Sequence, residues 1–351
     1  MNPSLAQALL SDVLRTARMQ KASDVHLTAA QPPVLRVDGR LERLSAATLT
    51  ADVIEAIAEM LFAPAGLGCA DATTMWRDGD CVRAHAFAGT RGRTIALRLL
   101  PRDVPQLDDL EVPASIAGLA ERANGIVLVT GPTGSGKSTL LAALIDRINQ
   151  TQSRHVITLE DPVEYRHESR KSLIQQREIG RDVSSFAEGV RSALRADPDV
   201  LLIGELRSPE TMQAALWAAE TGHLVFATLH TRDAAQAVER IIGSFEGSLQ
   251  AQVRSSLAQS LAGVIAVRLV PLVRGGRRAC VEVMVATDAV RNLIRESRTH
   301  LLRNVIATSR HIGMQTLEAH LSQLVAEGAV APAQAAEAAQ YPDDLRSGGV
   351  A

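Results

Sequence analysis

The octapeptide Gly131-Pro132-Thr133-Gly134-Ser135-Gly136-Lys137-Ser138 follows the apolar run Ile126–Val129 and precedes a helical pattern over Leu140–Ile148. Strand, glycine-rich loop and helix in this order are the context in which G-x-x-x-x-G-K-S forms a phosphate-binding loop. The glycines let successive backbone N–H groups turn toward phosphates at the positive end of the helix. The sequence therefore predicts a nucleotide site.

The residue types of this P-loop (residues 131–138) predict ATP and Mg²⁺ as its ligands. We expect Lys137 to reach the β- and γ-phosphates and the Ser138 hydroxyl to bind Mg²⁺. The alternative is a merely structural glycine-rich turn. The predicted nucleotide-binding set is Gly131, Pro132, Thr133, Gly134, Ser135, Gly136, Lys137, Ser138 and Thr139.

Continuous apolar runs around the P-loop predict a largely parallel sheet wrapped by helices. The runs lack polar alternation, as expected of strands that are buried on both faces. They are Ile126–Val129, His155–Leu159, Val200–Ile203 and Leu224–Ala227. We therefore predict an α/β nucleotide-binding domain over residues 114–287.

A P-loop needs a second strand whose acidic end faces the metal. The sequence supplies such a strand in Val200-Leu201-Leu202-Ile203-Gly204-Glu205. We predict that Glu205 is catalytic and either orients Mg²⁺ or polarises the attacking water. The alternative is an ordinary charge at a strand end.

Three more acids, Glu160, Asp161 and Glu164, follow the strand His155–Leu159 at the edge where open α/β sheets bind ligands. Either Glu164 accepts a proton from water, or Glu160 and Asp161 hold metal-bound waters, so the identity of the general base stays open. A solvated acidic turn is the alternative. Glu164 joins the predicted catalytic set, and the predicted metal set is Ser138, Glu160, Asp161 and Glu205.

Two histidines flank the strand that begins at Leu224. His230 lies at its carboxyl end, the side on which the P-loop opens, and is predicted to sense the γ-phosphate. His223 lies at the other end, so its direct contact with nucleotide is the weaker hypothesis. The alternative is a structural role, because a single histidine at a strand end is more often a structural residue than one that contacts nucleotide.

The flanking regions predict two smaller parts. A helical spacing over residues 3–18 and short alternating segments, the last over residues 94–99, predict a small α+β domain over residues 1–100. Three prolines indicate an extended linker over residues 101–113. Residues 288–351 are predicted to be helical and to end in a disordered tail.

Composition excludes several classes of protein. The 351 residues are 46% hydrophobic and 22% charged, which is typical of a soluble globular protein. The balance of 37 basic and 39 acidic residues argues against a nucleic-acid binder.

The three cysteines, Cys69, Cys81 and Cys280, are too scattered for a disulfide framework or a zinc site, and we interpret them as core thiols. No run approaches the roughly 18 apolar residues of a membrane span, so we predict a cytoplasmic chain.

Four segments, taken together and in order, resemble the Walker A, Asp box, Walker B and His box of type II/IV secretion ATPases. They are residues 131–139, 160–165, 197–207 and 221–231. Four further segments look specifically like the PilT-type pilus-retraction ATPases. They are Ala22–Leu27, Arg36–Gly39, Val290–Glu296 and Gly313–Leu317. The resemblance covers about residues 8–325.

This resemblance implies a PAS-like N-terminal domain, a RecA-like ATPase domain and a helical C-terminal piece. It also implies a homohexameric motor that hydrolyses ATP to drive type IV pilus retraction, and hence twitching motility. Such a motor works at the cytoplasmic face of the inner membrane, peripheral to it through partners such as the inner-membrane pilus platform protein. Assembly ATPases usually carry a tetracysteine zinc insertion in the C-terminal half, where this chain has only Cys280.

The family resemblance also singles out two arginines. Where the family often has Arg-Phe-Arg, this chain has Cys81-Val82-Arg83, and Arg98 matches a second family arginine. We expect Arg83 and Arg98 to help neutralise the γ-phosphate, with the linker folding the small domain over the nucleotide. The alternative is a pair of solvent-facing strand arginines. Ser208 replaces the usual Asp, which leaves a divergent paralogue open.

Three other functions compete with retraction. They are a pilus, pseudopilus or secretion assembly ATPase, a regulatory nucleotide-binding paralogue of low turnover, and a RecA-like DNA translocase. The near-neutral charge balance does not favour the translocase.

Overall fold

The computed structural model describes residues 3–37, 39–62, 70–75, 81–90 and 92–345. The chain divides into two compact units, Met1–Asp103 and Val104–Ala351.

In its described residues, the first unit is a six-stranded antiparallel sheet with two helices. The sheet order is β3-β2-β1-β6-β5-β4. The elements, in chain order, are α1 (Pro3–Met19), β1 (Asp24–Thr28), β2 (Val34–Val37), β3 (Arg40–Arg43), α2 (Ala51–Leu61), β4 (Ala70–Met75), β5 (Cys81–Gly89) and β6 (Gly92–Leu99).

The core of the first unit lies between one face of this sheet and the two helices. Val25 and Leu27 alternate with half-buried polar residues along β1, and Leu97 beside them is also buried. Their side chains belong to the same cluster as the apolar faces of α1 and α2. The predicted helix and the small α+β domain are confirmed, whereas β3 was not predicted because all four of its residues are exposed.

The second unit is a seven-stranded sheet covered by helices. Its elements are α3 (Ala114–Ala120), β7 (Gly125–Thr130), α4 (Lys137–Thr151), β8 (His155–Glu160), β9 (Leu173–Glu178), α5 (Phe186–Ala193), β10 (Val200–Ile203), α6 (Pro209–Glu220), β11 (Leu224–Leu229), α7 (Ala234–Gly243), α8 (Gly247–Ser260), β12 (Leu261–Pro271), β13 (Arg277–Val285), α9 (Asp288–Arg295), α10 (Leu302–Thr308), α11 (Leu317–Ala326) and α12 (Pro332–Ala338).

The order of this sheet is β13-β12-β7-β11-β10-β8-β9. All neighbouring strands are parallel except β13, which runs antiparallel to β12. The four predicted strands are confirmed as its centre, and β7, β10 and β11 are buried along their whole length. The sequence analysis missed β9 because its residues are largely polar and lie at the edge of the sheet.

The strand order of this sheet brings the predicted site residues of the second unit to one edge. β7, β11, β10 and β8 are adjacent in that order and parallel, so their carboxyl ends share one edge of the sheet. The P-loop, His230, Glu205 and the acids after β8 each follow one of these ends. The fold therefore gathers four segments that are far apart in the chain.

Part of the predicted linker differs from an extended chain. Residues 104–113 belong to the second unit, and they contain a short 3₁₀ turn at Asp108–Leu110. Leu107 is buried in the same cluster as Ile116 and Leu119, because its apolar side chain follows the prolines and packs under α3.

The C-terminal region is helical, as predicted, through α9 to α12. The predicted tail falls on residues 346–351, which lie outside the described residues, as does Cys69. Cys280 is buried in β13, where burial raises the pKa of its thiol to about 12. None of the helices in the described part of the chain has both the length and the apolar character required to cross a membrane.

Candidate functional site

The P-loop turns on three glycines with left-handed backbone conformations. The φ angles are 147° at Gly131, 76° at Gly134 and 98° at Gly136. A Cβ atom built on Gly131 would lie 2.4 Å from the carbonyl oxygen of Val267 and 2.6 Å from Ser135 Oγ, so no larger residue fits there. Gly136 precedes α4 directly, and the first N–H groups of that helix begin at the end of the loop.

Lys137 lies at the centre of the site. Its Nζ donates hydrogen bonds to the carbonyl oxygens of Gly131 (2.8 Å) and Pro132 (2.9 Å) and lies 3.4 Å from His230 Nδ1. Burial lowers the pKa of Lys137, and the negative charges of Glu205 and Glu164 oppose that shift. The ammonium group is thus partly desolvated and faces two carboxylates.

Ser135 provides a test of whether the loop suits a phosphate. Its side chain is only 4% exposed, and its Oγ has no hydrogen-bond partner among the described residues. A buried hydroxyl without a partner is uncommon and calls for an acceptor. A phosphate oxygen of a nucleotide fits this requirement.

His230 and Glu205 are in contact beside the P-loop. His230 Nε2 lies 3.2 Å from Glu205 Oε1, and Arg207 Nε lies 2.8 Å from Glu205 Oε2. Because β11 lies between β7 and β10, the histidine at its carboxyl end lies between the lysine of the loop and the glutamate. A continuous series of polar contacts, the polar chain, therefore joins Lys137, His230, Glu205 and Arg207.

The three acids after β8 are not equivalent. Glu160 Oε1 accepts hydrogen bonds from Thr158 Oγ1 (2.6 Å) and Gln176 Nε2 (3.1 Å), and burial raises the pKa of Glu160. Asp161 and Glu164 are exposed. Glu164 is the acid whose charge acts on Lys137.

The structure does not gather the predicted metal-binding acids into one ligand set. Within residues 3–345, where described, no group of three or more His, Cys, Asp or Glu side chains is arranged to hold a metal ion. The Glu160 carboxylate instead accepts hydrogen bonds from Thr158 of β8 and Gln176 of β9. A Mg²⁺ ion in a nucleotide site takes most of its ligands from phosphates, a hydroxyl and water, so it does not require such a cluster.

His223 lies at the amino end of β11, opposite the P-loop, as expected. Its Nδ1 lies 2.9 Å from the carbonyl oxygen of Ala218, and its backbone N–H donates to the same oxygen. These contacts close the turn after α6, which gives His223 a structural role.

Arg83 and Arg98 lie in the first unit and are paired directly opposite each other on β5 and β6, so they share a face of that sheet. Both are exposed. Arg98 Nε lies 3.1 Å from Asp24 Oδ1. Burial would raise the pKa of Asp24, but hydrogen bonds from Ser23 and Arg98 lower it. Whether the two arginines act on the nucleotide stays a prediction.

The sequence analysis missed three residues that organise the site. Arg207 contacts Glu205, Tyr165 contacts Thr139, and Gln176 contacts Glu160. Glu205 and Glu160 were recognised by their position after strands. The contacts of Arg207, two residues after Glu205, and of Gln176, on β9, carry no such local pattern. Ser208, where the family usually has Asp, accepts a hydrogen bond from Thr211 N–H and caps α6. Since Ser and Asp are both good caps, the exchange preserves this contact.

Comparisons with known proteins agree with this geometry. Residues 80–275 match the family described as "Type II/IV secretion system protein". The Pseudomonas aeruginosa "Type IV pilus retractation ATPase PilT" is 40% identical, over 96% of this chain and 99% of the relative. The solved structure of "the Pilus Retraction Motor PilT and Bound ADP" is 39% identical with a TM-score of 0.89, and the match covers 95% of this chain and 98% of that one.

The match to a third relative covers only part of that relative. The Thermus thermophilus "Type IV pilus assembly ATPase PilB" is 34% identical over 84% of this chain, but the match spans only 33% of that relative. The family match over more than half of the chain and the nearly full-length similarity to the first relative lead to one conclusion. This chain belongs to the type II/IV secretion system protein family.

Proposed function

We propose that this chain is an ATPase that works as the motor of type IV pilus retraction. The observation that carries the proposal is the polar chain on the P-loop, in which His230 contacts both Lys137 and Glu205. A phosphate-binding lysine and an acid that is able to polarise water are recurring parts of sites that hydrolyse nucleotides, and here His230 links the two.

The residues divide the chemistry as follows. Lys137 and the backbone of the P-loop bind the phosphates, and Glu205 or Glu164 polarises the attacking water. His230 senses the γ-phosphate through its contacts with Lys137 and Glu205. Ser138, exposed in the first turn of α4, would hold Mg²⁺, which neutralises charge on the phosphate oxygens.

Sequence similarity supports retraction over assembly. The match spans 99% of the relative named for retraction and 33% of the relative named for assembly. The relative named for retraction is also the more similar of the two, at 40% identity against 34%.

Deleting the gene in a pilus-bearing host should leave long pili that no longer shorten and cells that do not twitch, because extension would continue without disassembly. Fluorescently labelled pili followed by microscopy provide the measurement. Re-expression of the parental gene should restore shortening. Loss of all pili would instead identify an assembly ATPase, and normal extension and shortening would indicate an accessory paralogue.

The proposed assembly is a homohexameric ring. One P-loop per chain at an open sheet edge suits heterologous head-to-tail contacts that close into a ring. The proposed ring acts at the cytoplasmic face of the inner membrane and binds a pilus platform protein rather than nucleic acid.

Within that ring, we predict that Arg83→Ala and Arg98→Ala each lower turnover by at least about tenfold while ATP binding stays near the parental level. The planar guanidinium group pairs with two phosphate oxygens, and its removal leaves charge on the γ-phosphate uncompensated during hydrolysis. Phosphate release and equilibrium binding of an ATP analogue provide the measurements.

Mass photometry with Mg²⁺ and the analogue is the control, since each variant should keep the parental ring size. If both variants hydrolyse ATP at the parental rate as rings, the arginines take no part in the chemistry. If the parental protein itself remains monomeric at all concentrations, the proposed ring is wrong.

A further inference from the structure

The acidic loop (residues 160–165) ends in a tyrosine that contacts the phosphate-binding helix. Tyr165 is 9% exposed, and its hydroxyl oxygen lies 3.0 Å from Thr139 Oγ1. Thr139 is the third residue of α4, directly after Lys137 and Ser138. One hydrogen bond thus joins the acidic loop to the first turn of the helix that begins at the P-loop.

The other side of the acidic loop is fixed by Gln176 of β9. Its Nε2 donates to Glu160 Oε1 (3.1 Å) and to the carbonyl oxygen of Tyr165 (2.8 Å), and its Oε1 accepts from the N–H of His167 (2.9 Å). This amide is therefore bonded to both ends of the loop. The backbone that carries Glu164 lies between these attachments.

Glu164 itself is exposed and depends on this frame for its position. Burial and, after it, the negative charge of Glu164 raise the pKa of Tyr165, and the same charge opposes the lowering of the pKa of Lys137 by burial. The only side-chain hydrogen bond of the described structure that links the acidic loop to α4 is the one between Tyr165 and Thr139.

The chemistry of the pair suits a fixed link. Burial raises the pKa of Tyr165, so the phenol keeps its proton at neutral pH. It is then able to donate to Thr139 Oγ1, which leaves the Thr139 proton available for a second acceptor. The link therefore does not consume the hydrogen-bonding capacity that a nucleotide-binding threonine needs.

We propose that Tyr165 is a positioning residue, whose hydroxyl holds Glu164 at a set place relative to the P-loop through Thr139. The acidic loop would then follow any movement of the helix that binds the phosphates. This inference rests on the proposed ATPase function. It assigns to Tyr165 an effect on the hydrolytic step rather than on nucleotide binding.

The test is Tyr165→Phe, which removes one oxygen and leaves the buried ring in place. We expect kcat for ATP to fall about fivefold, as the loss of one hydrogen bond predicts, with KM unchanged. The affinity for a fluorescent ADP analogue should stay at the parental value, because the contacts of the P-loop remain.

The matched control is Tyr341→Phe, the same change at the other of the two tyrosines in the chain. Tyr341 is 44% exposed, and its ring lies 3.9 Å from the guanidinium carbon of Arg303. This variant should keep the parental kcat.

A double-mutant cycle with Thr139→Val separates this link from other effects of Tyr165. If the hydroxyl acts through Thr139, Tyr165→Phe should have little further effect in the Thr139→Val background. An additive effect would overturn the proposal, as would a parental kcat in Tyr165→Phe or a loss of ADP affinity that accounts for the change in rate. If the parental protein releases no phosphate, the proposed function fails, and this inference fails with it.

Discussion

Lys137→Ala should reduce Mg²⁺-dependent ATP turnover by at least about 100-fold. Lys137 Nζ contacts Gly131, Pro132 and His230, and it is the cation placed to meet the β- and γ-phosphates. Alanine removes both the charge and the link to His230. Steady-state phosphate release at saturating ATP provides the measurement, and equilibrium binding should show weaker affinity for ATP analogues.

Lys171→Ala is the matched control for this variant. Lys171 is exposed, and its backbone N–H donates a hydrogen bond to the Asn149 carbonyl oxygen, which alanine keeps. The control should therefore hydrolyse ATP at the parental rate. Wild-type turnover in Lys137→Ala would refute the assignment of the P-loop as the nucleotide site.

Glu205→Gln should keep nucleotide binding but reduce hydrolysis by about 100-fold or more. The Glu205 carboxylate pairs with His230 and Arg207 at the carboxyl end of β10. The amide preserves the shape of the side chain but removes the negative charge that a metal ion or a polarised water requires. Binding of a fluorescent ATP analogue and phosphate release measure the two effects separately.

Glu210→Gln, an exposed glutamate in the first turn of α6, is the corresponding control and should leave both quantities unchanged. If Glu205→Gln instead abolishes ATP binding, Glu205 has a structural role, and the catalytic acid must be sought in the acidic loop.

The sequence predicted the elements that form the site because their signals are local. The P-loop is a contiguous pattern, and the buried strands are continuous apolar runs whose parallel pairing follows from helical crossovers. From these, Glu205 and His230 could be placed at one edge of the sheet before any coordinates. The contact of His230 with both Lys137 and Glu205 then follows from the position of β11 between β7 and β10.

The partners of these residues could not be predicted in the same way. Tyr165 meets Thr139 across 26 positions of sequence, and Gln176 reaches back to Glu160 across 16. Such contacts depend on side-chain directions that only the packed fold determines. For the same reason, the hydrogen bonds that Glu160 accepts from Thr158 of β8 and Gln176 of β9 could not be predicted, and its role toward a metal ion stays a prediction.

Phosphate release by the purified 351-residue chain, measured at steady state with ATP in the presence and absence of Mg²⁺, tests the central claim most directly. The Lys137→Ala variant supplies the background rate. We predict saturable, Mg²⁺-dependent turnover well above that background. A parental protein that binds ATP analogues but releases phosphate no faster than Lys137→Ala would contradict the motor and indicate a regulatory nucleotide-binding protein.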